Sequence, residues 1–129
     1  MILYDQETER DCMRACIRTV MQRFDVPDFW NPSAKEQDRR IREWLKRLTH
    51  EVAIFYFSEC SFEEMSIDFD HLAIVWGPSP RHKDFTHAVV VHSRNDRMYV
   101  HHDPHKSRKG IESVSGLMLI YPKLYVSHK

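Results

Sequence analysis

Hydrophobic positions in the first half of the chain recur with a helical period. Residues 12–24 place Met13, Cys16, Ile17, Val20, Met21 and Phe24 on one stripe, the spacing of an amphipathic helix with a buried face. Asp11 stands where an N-cap belongs, and Pro27 lies where such a helix has stopped. Ser33-Ala34-Lys35-Glu36 has the form of a capping box. It predicts a second helix through about Leu48, with Ile41, Trp44, Leu45 and Leu48 facing inward and the other faces charged.

Beyond residue 50 the period changes. Residues 51–57 (EVAIFYF), 72–76 (LAIVW), 86–92 (THAVVVH), 98–102 (MYVHH) and 117–121 (LMLIY) are short β-branched and aromatic runs, the length and composition of strands. Residues 93–97 (SRNDR) read as a hairpin turn with Asn95-Asp96 at its tip. Gly77-Pro78-Ser79-Pro80 reads as a loop. Helices first and a mostly antiparallel sheet second is an α+β arrangement. The chain has no repeat, linker or low-complexity tract, and its 129 residues suit one domain spanning 1–129.

Composition narrows the function. Lys+Arg and Asp+Glu both number 19, so the basic excess that goes with nucleic-acid binding is missing. The cluster Arg39, Arg40, Arg42, Lys46 and Arg47 reads as a solvated helix face. With three glycines a glycine-rich phosphate cradle is not expected. The three cysteines, Cys12, Cys16 and Cys60, form no disulfide framework and suit a reducing compartment. The polar start MILYDQETERDC does not resemble a signal peptide, and no run approaches the roughly 18 apolar residues of a membrane helix. The expectation is a cytoplasmic protein without a membrane segment.

Four residues together suggest nucleophilic chemistry. Cys12 opens the first helix, and a helix N-terminus favours thiolate. His87 opens a strand. Asp103 follows the next strand and precedes Pro104, which biases it toward extended geometry. If residues 93–97 close a hairpin, His87 and Asp103 fall eight and seven residues from its tip, so they lie side by side at one end. That is the relation an orienting carboxylate needs to an imidazole base. Gln6, on the loop entering the helix, could donate to an oxyanion together with the backbone N–H of Cys12. Cys16, one turn later on the buried face, reads as a core cysteine. The run His101-His102-Asp103-Pro104-His105 contains zinc-type ligands, but His101 and His102 point to opposite faces of a strand, and no metal or other cofactor is expected. Trp30, Trp44 and Trp76 read as core or cleft-wall residues, with Trp76 and the loop after it bordering the cleft.

These residues carry a resemblance. Gln6-Glu7-Thr8-Glu9-Arg10-Asp11-Cys12 followed by Ala15-Cys16 resembles the active-site start of the bacteriocin-processing, double-glycine leader peptidases, which are papain-like cysteine peptidases. His87-Ala88-Val89-Val90-Val91, then Asp103-Pro104 and Lys109-Gly110-Ile111, resemble that family's histidine strand and Asp-Pro. The resemblance runs from about Gln6 to Ile111 and is only an outline over residues 25–70. It implies a papain-like fold, with Cys12 as nucleophile, His87 as base, Asp103 as orienter and Gln6 in the oxyanion hole. The implied reaction is cleavage of a peptide bond in a peptide or protein substrate through a thioester. Met13 stands where the family has glycine, which alters what the cleft accepts. The same triad on this fold also serves deamidation or acyl transfer, or survives in a silent peptide-binding module.

Overall fold

The computed structural model describes residues 1–62, 64–65, 71–82 and 84–123. Helix α1 spans Cys12–Met21 and helix α2 Ala34–Arg47. Strands β1 (His50–Cys60), β2 (Ala73–Pro78), β3 (Thr86–Arg94), β4 (Arg97–His102) and β5 (Val114–Pro122) follow. They form one sheet in the order β1-β5-β2-β3-β4, with every pairing antiparallel. The protein is therefore α+β, two helices and then a five-stranded antiparallel sheet. No described helix is long and apolar enough to cross a membrane.

The expected stripe forms α1, with Cys16 and Ile17 wholly buried. The helix ends before Phe24, however. Gln22 adopts left-handed geometry (φ 54°, ψ 45°), and the N–H groups of Gln22 and Arg23 both return to the carbonyl of Arg18, a Schellman-type stop. Phe24 is turned outward, with the Arg18 guanidinium 4.1 Å from its ring centre. The stripe was read three residues too far because a period cannot register a left-handed stop at a glutamine. In α2, Ser33 Oγ accepts from the Glu36 N–H at 3.3 Å, as the capping box predicts. The Glu36 carboxylate turns instead to Arg39 and Arg40, so the cluster expected to be solvated is partly neutralised by pairs within the helix. Ile41 and Leu45 are fully buried, while Trp44 packs edge-on against Phe29.

All five expected strands are present. The hairpin forms as read: Arg94 pairs with Arg97, and Asn95 (φ 52°) and Asp96 (φ 61°) make a two-residue turn of the left-handed kind that matches strand twist. One segment departs from expectation. Gly77 and Pro78 are not loop but the end of β2, opposite His87 and Thr86. Gly77 is required there by close approach, since a Cβ would lie 1.7 Å from the Ser113 carbonyl oxygen. Pro78 needs no ladder N–H at a strand end, and its carbonyl accepts from Glu112 N–H.

The sheet is buried on both faces. Cys16, Ile17, Ile41 and Leu45 of the helices cover Ile74, Ala88, Val90, Met118 and Ile120. On the opposite face Val75, Val89, Val91, Val114 and Leu117 pack with Met65, Met98 and Ile111. Double burial explains why β2 and β3 read as continuous apolar runs rather than alternating ones. It also makes the centre of the sheet a rigid platform for whatever the strand ends carry.

Gly77→Ala is expected to destabilise the fold by about 3 kcal/mol, because the backbone it meets cannot rotate away. Gly110→Ala should cost only about 1 kcal/mol, since an added methyl there meets nothing within 4 Å and only its φ of 72° opposes it. Urea denaturation of the two variants checks the difference.

Candidate active site

Three chain segments converge at one end of the sheet. The first turn of α1 carries Cys12, the first paired residues of β3 carry His87, and the residue after β4 is Asp103. His87 Nε2 lies 2.7 Å from Asp103 Oδ1, and both side chains are buried. The Cys12 side chain interacts with the same ring. With Nε2 engaged by the carboxylate, the nitrogen left for sulfur is Nδ1. The hairpin does bring His87 and Asp103 together, though not by simple counting. A bulge shifts the register so that Val91 opposes Val100 while Val90 opposes His102, so Asp103 lies just beyond the last paired residue of β4 rather than directly opposite His87.

The Asp103 carboxylate is a hub. Oδ1 also accepts from the His105 N–H at 2.9 Å, and Oδ2 accepts from the Gly110 N–H at 2.7 Å. Arg108 donates to its backbone carbonyl and pairs with Asp5. Burial favours a neutral carboxyl, but these donors and His87 hold Asp103 at about 2. Burial likewise pulls His87 down, and Asp103 and Cys12 outweigh it, leaving the imidazole at about 9. Burial pushes the Cys16 thiol up, with Cys12 and Asp103 adding to the effect. Cys16 is thus a protonated core cysteine, as its place on the stripe predicted.

Asp11 does not cap α1. Its buried carboxylate turns back to accept from the N–H groups of Glu7 and Thr8 and from the Thr8 hydroxyl, at 2.8–3.2 Å, and no side chain caps the helix. This corrects the expectation of an N-cap. The tight loop before the helix needs the acceptor more, and the first-turn N–H groups beside Cys12 are left uncapped.

The Gln6 side chain is held in the loop before α1. Its Nε2 donates to the Thr8 carbonyl at 2.8 Å, and its Oε1 is buried without a partner. Its backbone N–H donates to the carbonyl of Pro104 at 3.0 Å, tying the segment before α1 to the residue after Asp103. The histidines around Asp103 face separate partners. His101 contacts Met1 Sδ, His102 meets the Tyr4 carbonyl and Asp5, and His105 meets Ser107 and Glu9.

Cys12 and His87 open into a cleft of about 370 Å³. Trp76 lines it, as do Asp84 and Phe85 from the segment after β2, where a wall was anticipated. Trp30 also lines it.

No protein-family model, curated protein or solved structure matches this chain. The functional reading therefore rests on the geometry of the cleft. Several of its residues were not legible beforehand. Asp38 and Tyr56 meet there through a hydrogen bond between distant segments, and Glu9 is held by Arg81 and His105. Nothing local marks these pairs. The Gly110 donor did leave a trace, since glycine is scarce in the chain and Gly110 carries a positive φ.

The His87 ring, followed by NMR, should titrate near 9, and Asp103→Asn should move that midpoint downward, because burial then acts with less opposition. The raised value means the stability contributed by charged His87 is full below its ordinary 6.5 and is lost as pH rises through about 9. For Asp103 the contribution is full above 3.8 and is lost as pH falls toward about 2. Asp11→Ala is expected to cost about 2 kcal/mol in chemical denaturation by stranding the loop donors, with Asp11→Asn intermediate.

Proposed function

We propose that this chain is a papain-like thiol hydrolase acting on a peptide or related amide bond. One observation carries the reading: a helix-opening cysteine and a buried His–Asp pair meet at the floor of one cleft. In the proposed reaction His87 already carries the proton given up by Cys12, so that a thiolate stands beside the charged ring, and sulfur bonds to the substrate carbonyl carbon. The oxygen of the tetrahedral intermediate takes up the negative charge, and the uncapped N–H groups at the start of α1 are the nearest donors. The C–N bond then breaks as His87 returns its proton to the leaving nitrogen, and a thioester remains. Water, deprotonated by His87, attacks the thioester, the C–S bond breaks, and acid and free thiol are released. Asp103 keeps the ring oriented and stabilises its charged form.

Gln6 Nε2 has two N–H groups and commits one of them to the Thr8 carbonyl, but the residue is not part of the cleft lining. That placement favours one second reading, a papain-like domain that binds a peptide segment without turnover. Under it Cys12→Ala binds as wild type does, and no product forms from either.

Near neutral pH, iodoacetamide is expected to modify Cys12 about tenfold or more faster than Cys16 or Cys60, and His87→Ala should slow the Cys12 reaction by a similar factor. Peptide mapping by mass spectrometry reads both. Equal labelling of the three thiols would remove the basis for the thiol-hydrolase reading.

A further inference from the structure

The cleft above Cys12 has aromatic walls. Trp30, Tyr56, Trp76 and Phe85 all line it, drawn from separate segments, with Met13 beside the nucleophile. Trp30, Tyr56 and Phe85 are 40%, 61% and 50% exposed. Large rings left in water around a concavity mark a binding surface rather than a core. Trp76 is held in place from behind. A Cβ on Gly116 would lie 2.1 Å from its indole, so the glycine lets the ring lie against β5, and Tyr56 meets it edge-on at 5.9 Å. This wall is preformed and needs little ordering on binding.

Part of the charge on the cleft is committed to partners, and Asp84 stands at its edge beside Phe85. Glu9 faces Arg81 and His105, Asp38 faces the Tyr56 hydroxyl, and the Arg10 guanidinium sits 4.4 Å from the centre of the Trp30 ring. What the large side chains of the walls offer an incoming chain is apolar and aromatic contact. A volume of about 370 Å³ is at the small end for ligand pockets, suited to a short extended segment and its side chains.

We infer that the substrate is a peptide segment presenting an aromatic or large aliphatic side chain within two residues of the bond attacked, seated between Trp30 and Trp76. This rests on the thiol-hydrolase reading above. The aromatic walls select that side chain, and a segment with glycine at both positions lacks the contact.

The test uses dipeptidyl acyloxymethyl ketones, which alkylate a thiol with loss of a carboxylate, bearing Gly-Gly, Phe-Gly, Gly-Phe or Phe-Phe before the reactive group. At least one phenylalanine probe is expected to modify Cys12 about tenfold or more faster than Gly-Gly. Trp76→Ala should bring the two rates to within about threefold. Trp30→Ala, at an exposed position, provides the same comparison if the Trp76 variant does not fold. Selective iodoacetamide labelling of Cys12 without any preference among the probes overturns the substrate inference and leaves the thiol reading standing. Unchanged preference in both tryptophan variants also overturns it. Indiscriminate iodoacetamide labelling removes the reading beneath it.

Discussion

The buried carboxylate of Asp103 is the constraint on which the rest of the site depends. A charge removed from water is costly unless every side of it is compensated. Here compensation comes from the His87 ring and the N–H groups of His105 and Gly110. To supply them, the chain after β4 must wrap around the carboxylate, and Arg108 and Gly110 both take positive φ in doing so. The same carboxylate keeps the histidine charged in a buried place where it would otherwise be neutral. Burial, loop shape and imidazole protonation are thus consequences of one group.

The segment before α1 is fastened to that loop rather than lying free. Gln6 bonds to Pro104 through the backbone, Tyr4 offers its carbonyl to His102, and Asp5 pairs with Arg108. Glu9 reaches both Arg81 and His105. Each exposed ion pair contributes little by itself, but together with the backbone bond they set the entry of α1. The helix then presents Cys12 to His87 while its buried face grips the sheet through Cys16 and Ile17. Asp11 completes the arrangement by bracing the loop rather than the helix, so the helix N-terminus faces the cleft uncapped.

Local patterns predicted the elements well where local physics governs them. Ser33 caps its helix because the bond spans three residues, and Asn95-Asp96 turns because those residues tolerate left-handed geometry. The apolar runs of β2 and β3 reflect a sheet covered on both sides. The misreadings occur where a distant atom intervenes. Gly77 looked like a loop residue, yet the Ser113 carbonyl requires it within a strand. Asp11 looked like a cap, yet the loop it closes competes successfully for its oxygens.

The sequence by itself determined the two helices, the five strands, the hairpin and the four polar residues worth watching. It did so because period, capping and turn chemistry act over a few neighbours. Only the tertiary structure decided that Cys12 shares the His87 ring with Asp103, that a bulge shifts the register between β3 and β4, and that the Gln6 amide turns to Thr8. It alone assembled Trp30, Tyr56, Trp76 and Phe85 into one wall. Such meetings depend on how separate elements pack, and side chains far apart in the chain leave no periodic trace of where burial will bring them together.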